Sequence, residues 1–242
     1  MAAVSNGLAV EITGLEKSFG RRKVLEDIDL AVPSGRFLSI FGPNGAGKTT
    51  LVRIMATLLA PTKGSVVVAG VPLADDPAEI RKRVGLISHS PLLYPELTAE
   101  ENLRFYGGLY AVDRLGERID RLLESVELDH RRYDIVRTFS KGMYQRLAIA
   151  RALLHEPEIL FLDEPYSGLD PHASEILDGL LAAIRENHTF VMITHSLEKG
   201  LEMADAAIVL SQGRIVHTME EKGASLDEFR EAYRAAVKGE EC

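Results

Sequence analysis

The sequence predicts an α/β fold: a mostly parallel core sheet, an antiparallel β lobe at the N-terminus and a helical lobe in the middle. Three observations carry this. LAVEITGLEKSF and KVLEDIDLAV alternate apolar and polar residues, as half-buried antiparallel strands do. RFLSIFG and EILFLD are short apolar runs of the buried-strand kind. Helical segments separate the later runs, and strands alternating with helices imply a parallel sheet.

In chain order, RFLSIFG ends in glycine and KTTLVRIMATLLA then carries helical periodicity. GSVVVAG reads as another strand of the early sheet, and RKRVGLIS leads into a second one. From Pro91 to about Phe139 the signals are helical. Thr98 and Glu101 form a capping box ahead of NLRFYGGLY, and DRLGERIDRLLESV has amphipathic spacing. Asp170 and Pro171 suit the N-cap and first turn of PHASEILDGLLAAIREN. TFVMITH and AAIVLSQGRIVHTM are further strands, the last two joined at a turn containing Gly213. Ser225 to Glu228 caps a final amphipathic helix, SLDEFREAYRAAV, read as a surface or partner-facing appendage. The expectation is one domain over residues 1–242, with a helical subdomain at about 91–140 and the appendage at about 220–242.

Composition narrows the partners. Of 242 residues, 46% are hydrophobic and 26% charged, ordinary for a globular protein able to bury a sizeable core. A net charge of −8 argues against nucleic acid, whose phosphates call for a basic face. The only cysteine, Cys242, forms no disulfide framework or Cys-based metal site, which fits a reducing compartment. MAAVSNGLAVEI has neither a basic start nor a long apolar core, so no secretory leader is expected there. The nearest approach to a membrane span, LLAPTKGSVVVAGVPLA, is broken by Pro61, Lys63 and Gly64. A role at a membrane therefore requires a partner.

Gly42-Pro43-Asn44-Gly45-Ala46-Gly47-Lys48-Thr49 matches G-x-x-x-x-G-K-[ST], between an apolar strand and a helix as that motif requires. Glycines let backbone N–H groups wrap phosphates, and the helix N-terminus adds partial positive charge. Lys48 is placed to reach the β- and γ-phosphates, Thr49 to ligate Mg²⁺ and Thr50 to bond the α-phosphate. Downstream, the strand Ile159-Leu160-Phe161-Leu162 delivers Asp163 to the Mg²⁺ site. Glu164, next along, is the expected general base or water-orienting residue.

With these motifs the chain resembles the ABC (ATP-binding cassette) ATPases over nearly its whole length. Ser140-Lys141-Gly142-Met143, opening YQRLAIARALL, resembles the family signature, usually LSGGQ. Ser167-Gly168-Leu169-Asp170 looks like the D-loop, His195 like the switch histidine, and Phe19 in KSFG like the aromatic that stacks on adenine. The resemblance implies a P-loop NTPase cassette binding ATP and Mg²⁺. In that family Ser140, Gly142 and Asp170 would face a nucleotide held by the opposite subunit, and His195 its own γ-phosphate. A homodimer, or a heterodimer with a related cassette, is implied, coupled to membrane-spanning transporter subunits and peripheral to the cytoplasmic face of the inner membrane. Two competing classes fit less well. A soluble ABC protein acting on DNA or ribosomes typically has two cassettes or basic surfaces, and a catalytically dead cassette would not retain Lys48, Asp163, Glu164 and His195.

Two departures stand out. Phe139, Lys141 and Met143 replace Leu, Gly and Gln of the common signature, and Met143 lacks the glutamine's hydrogen bonds. His89, in VGLISHSPLLYPELT, stands where the Q-loop glutamine usually is. With ELTAEENLRFY and FSKGMYQRLAIARALLHEPEILFLDEPYSGLD, this histidine resembles the haem-exporter ATP-binding subunits of cytochrome c maturation. Exporters of drugs, ions or polysaccharide share ENLRFY-like and SKGM stretches and form the alternative. Leu92, Leu93 and Tyr94 are expected to line the groove that docks the membrane subunit, or else to be core of the helical lobe.

Overall fold

A computed structural model describes residues 7–88, 92–220 and 226–238. His89, Ser225 and Cys242 lie outside the described residues.

Alternation builds the first sheet. In β1 (Leu8–Phe19) Val10, Ile12 and Leu15 turn inward, and in β2 (Arg22–Pro33) Leu25, Ile28 and Val32 do the same. β4 (Lys63–Val68) and β5 (Val71–Pro72) complete an antiparallel sheet in the order β2-β1-β4-β5.

The second sheet reads differently because it is covered on both faces. β3 (Phe37–Phe41), β6 (Val84–Ile87), β7 (Ile159–Asp163) and β8 (Thr189–Ile193) are buried at every position. With β9 (Ala206–Ser211) and β10 (Arg214–Met219) they form the order β10-β9-β3-β8-β7-β6, parallel throughout except for the β9–β10 hairpin. Continuous apolar strands of this kind need helices or a second sheet on each side. One side meets α1 (Lys48–Met55) and the antiparallel sheet, in a core including Leu15, Ile40, Leu51 and Phe161. The other meets α3 (Ala99–Leu109), α4 (Leu115–Ser125), α5 (Lys141–Leu153) and α6 (Pro171–Ile184), around Leu103, Leu123, Leu147 and Phe190.

The predicted caps form. Thr98 and Glu101 close a reciprocal capping box, Ser140 accepts from Met143 N, and Asp170 accepts from Ala173 N ahead of Pro171. Another helix, Pro77–Arg83 (α2), lies in a stretch where the sequence reading placed none. Asp76 caps it by accepting from Ala78 N and Glu79 N, so the Asp-Pro pair was the missed signal.

Two expectations need adjusting. Leu92–Tyr94 divides: Leu93 is buried in the helical core, whereas Leu92 and Tyr94 are exposed. The C-terminal helix, Leu226–Lys238 (α8), keeps an exposed outer face as a surface helix but packs an inner one, through Phe229 and Tyr233, against Phe41. Phe229 is fully buried, edge-on to Phe41 at 5.3 Å, a contact worth about 2 kcal/mol of burial.

Candidate nucleotide site

The site begins where β3 runs out at Phe41. Gly42, Gly45 and Gly47 all have positive φ. Gly47 has φ 106°, and a Cβ there would lie 2.7 Å from Leu25 Cδ2 and 2.8 Å from the Val24 carbonyl, so only glycine fits. Gly47 is also the N-cap of α1 and offers no side chain, which leaves the N–H groups of the first turn facing outward. Lys48, nearly buried, donates from Nζ to the carbonyls of Gly42 and Pro43, both at 2.7 Å. Its ammonium is thereby held across the loop mouth.

β7 supplies the acids. Asp163 is 4% exposed and accepts from Thr49 Oγ1 at 3.2 Å. Glu164 sits in the left-handed region at φ 54°, a conformation that costs a non-glycine residue roughly 1 kcal/mol or more. Its N–H donates to the Ile193 carbonyl at 3.0 Å, pinning the turn to the end of β8. That brings Glu164 Oε1 to 3.2 Å from His195 Nε2.

Asn44, Gly45, Gly47, Lys48, Thr49, Thr50, Asp163, Glu164 and His195 line one cavity of about 390 Å³. Arg22 and Val24 line it as well, reaching in from the antiparallel sheet. No local motif announces them, because the turn that carries Arg22 is distant in sequence from the loop it approaches. A larger cleft, about 690 Å³, lies beside Arg114, Arg118 and His155, but its cations are paired locally, Arg118 with Glu156 at 3.0 Å. It lacks the loop's open N–H groups, so the smaller cavity is the chemically competent one.

Thr49 and Asp163 present two hard oxygens side by side, a donor pair suited to Mg²⁺, which takes few protein ligands and completes its shell with phosphate and water. No cluster of three or more His, Cys, Asp or Glu that could hold a metal occurs among the described residues. A cage-type metal site is therefore not what this donor set resembles.

The remaining predicted residues sit elsewhere. Phe19 is 49% exposed, with the Lys17 ammonium 4.9 Å from its ring centroid, and it is not part of the cavity wall. Ser140, Gly142 and Asp170 gather at the adjoining N-termini of α5 and α6, also off that wall. A Cβ on Gly142 would approach Asp170 Oδ2 to 3.2 Å, and a side chain at Gly168 would collide with the Lys141 ammonium. Lys141 therefore lies over the Gly168 turn of its own chain.

The sequence pattern of the ABC transporter family matches residues 25–167. The chain is 38% identical over 211 residues to the daunorubicin resistance ATP-binding protein DrrA3 of Streptomyces coeruleorubidus, covering 86% of this chain and 67% of the relative. It is 33% identical to the Nod factor export ATP-binding protein I of Cupriavidus metallidurans, over 85% of this chain and 69% of that one. Among solved structures, the ATP-binding subunit of an ABC transporter superposes with a TM-score of 0.84 at 32% identity, covering 93% of this chain and 99% of that one. The dimeric cassette MJ0796, in a post-hydrolysis state bound to ADP and Pi, superposes at 0.80 with 28% identity over 87% of this chain and 97% of that one. The chain belongs to the ABC transporter family, as an ATP-binding subunit with ATPase activity.

Proposed function

We propose that two copies of this chain, or this chain and a related cassette, close head to tail over MgATP and drive a membrane-spanning exporter. The carrying observation is the separation of two half-sites. Lys48, Thr49, Asp163, Glu164 and His195 share one cavity, whereas Ser140, Gly142 and Asp170 gather on another surface. A second subunit is then needed to complete the nucleotide's surroundings, and the dimeric state of MJ0796 supports that reading.

Within the half-site, the loop N–H groups from Asn44 to Gly47 and the Lys48 ammonium bind the β- and γ-phosphates, and Thr50 takes the α-phosphate. Thr49 and Asp163 hold Mg²⁺, which supplies Lewis-acid stabilisation to the phosphate oxygens when bound. Glu164 orients and polarises the attacking water, and His195, already paired to Glu164, meets the γ-phosphate. Phe19 stacks on adenine. Across the interface, the exposed N-terminus of α5, capped by Ser140, aims partial positive charge at the partner's γ-phosphate, with Gly142 allowing close approach and Asp170 touching the facing subunit. His89 senses the same site from the Q-loop.

The chain docks at the cytoplasmic face of the membrane through its membrane-spanning partner, as the transporter role of its family supports; no helix among the described residues is long and apolar enough to cross a membrane. The aromatic ridge of Tyr94 and Phe105, both exposed and 4.9 Å apart, is the proposed docking face. The relatives named for daunorubicin resistance and Nod factor export favour cargo of those kinds. A second reading, haem export for cytochrome c maturation, rests on His89, in a segment followed by ELTAEENLRFY.

Glu164→Gln tests both levels. The variant is expected to bind ATP, accumulate a closed dimer and hydrolyse at least about 100-fold more slowly, and full turnover would remove Glu164 from its assigned role. In cells, loss of covalent haem from c-type cytochromes alone would select haem export. Normal cytochrome staining with lost drug or Nod-factor efflux would select the first cargo class.

A further inference from the structure

We infer that Asp178, on α6, is a positioning residue that bridges the segments carrying Glu164 and His195. Its carboxylate accepts from the Tyr166 hydroxyl at Oδ1 (2.6 Å) and from Lys199 Nζ at Oδ2 (2.7 Å). Tyr166 lies two residues beyond Glu164. The turn between them is stitched by Ser167 N to the Glu164 carbonyl and by Leu169 N to the Tyr166 carbonyl. Lys199 lies in the first turn of α7 (Leu197–Met203), four residues beyond His195, and its own N–H donates to the Ser196 cap. The Lys199 ammonium also stands 5.5 Å from the Tyr166 ring centroid.

The result is a ring of contacts. Glu164 and His195 pair at the cavity, and one carboxylate joins the chain just past each of them. Glu164 is held at positive φ, so its side-chain direction depends on the turn that follows. Burial, then the hydrogen bond to Asp178 and its charge, pushes the Tyr166 pKa up and keeps the hydroxyl protonated. The Lys199–Asp178 pair is partly exposed, at 39% and 36%, so its effect is expected on alignment rather than on folding.

This inference rests on the roles proposed for Glu164 and His195, and the test separates the two. Tyr166→Phe, which keeps the ring, and Lys199→Met are each expected to lower kcat about threefold, with KM for ATP and the melting temperature near wild type. Because the two arms act in series through one carboxylate, the double variant is expected to fall about threefold rather than about ninefold. Lys199→Arg restores the charge and is expected to restore kcat. Wild-type kcat in either single variant, a multiplicative double variant, or a loss confined to KM would overturn the bridge. Glu164→Gln runs alongside: if it stalls while Tyr166→Phe turns over fully, only the bridge fails, and if Glu164→Gln turns over fully, both readings fail.

Discussion

At the phosphate loop the backbone does the positioning, and in the helical lobe side chains do it. Gly42, Gly45, Gly47 and Glu164 occupy left-handed or glycine-only conformations, and the Lys48 ammonium is fixed by two main-chain carbonyls. Around α3 to α5 the left-handed residues are confined to the connections, at Ala111, Arg114 and Glu127, and the helices themselves are tied by long polar groups. Buried Asn102 spans the turn into α3, accepting from Tyr94 N and donating to the carbonyls of Tyr94 and Thr98. Arg151, 6% exposed, crosses from α5 to the Leu86 carbonyl at 2.5 Å beneath the Tyr106 ring. A site built from backbone conformation tolerates almost no change at its key positions. A lobe tied by side chains loses stability in increments and leaves its outer surface free to match a partner.

Gly47→Ala gives the sharpest break on the backbone side. The new Cβ meets Leu25 and the Val24 carbonyl at a φ that alanine avoids, so the loop must move. ATP affinity is expected to fall about 100-fold or more, roughly 3 kcal/mol, while the fold persists. Nucleotide titration checks this, and wild-type affinity would mean that loop geometry is not what holds the phosphates.

His155 tests the side-chain regime. It stacks on Tyr110 at 4.0 Å and bonds the Val84 carbonyl at 3.0 Å through Nε2, tying the end of α5 to β6. Burial lowers its pKa from 6.5 to about 4. Between those values the unfolded chain binds the proton and the folded chain does not. Its contribution is therefore whole above about pH 6.5 and is lost as pH falls through 4, about 3 kcal/mol in all. Unfolding free energies from urea titrations at pH 7.5 and 4.5 are expected to differ by about 2 to 3 kcal/mol less in His155→Gln; equal acid sensitivity in both proteins would assign the loss to other groups.

Much of the site was legible because its parts are consecutive in sequence. The phosphate loop, the Asp163-Glu164 pair and the Asp170 cap each declare themselves within eight residues or fewer. What stayed hidden needed a third dimension. Arg22 arrives from the other sheet, and Tyr166, Asp178 and Lys199 meet across three separate elements. Leu92 and Leu93 look alike in sequence, and only the turn at Leu92, with φ 54°, sends one outward and the other into the core. Phe229 gave no sign of its berth, since an amphipathic terminal helix suits either the core or a partner.

The exposed ridge is where variation should affect the partner and little else. Tyr94→Glu places a charge on a ring edge beside Phe105 while leaving the Asn102 bonds, which use Tyr94's backbone, intact. Partner-stimulated ATPase is expected to drop about tenfold, or 1.4 kcal/mol of docking, with basal turnover unchanged. Unaltered stimulation would move the docking face elsewhere on the lobe.

The smallest effect belongs to Thr98, and it is informative because it should be confined to one helix end. Its hydroxyl accepts from Glu101 N at 3.1 Å, and the Glu101 carboxylate accepts from Thr98 N at 2.8 Å. Hydrogen bonds to the Glu101 carboxylate, first from the Thr98 backbone N–H and then from the Thr98 side chain, hold its pKa below the usual carboxylate value. Thr98→Ala removes one half of the box and is expected to cost about 1 kcal/mol of stability. The Asn102 bond to the Thr98 carbonyl survives the change, so the segment entering α3 keeps its course and ATP binding is expected to be unaltered. A stability loss with wild-type ATP affinity would place the two regimes in energetically separate parts of the cassette. A matching loss of affinity would mean that the helical lobe and the phosphate loop share one cooperative unit, and that the contrast between them is only one of construction.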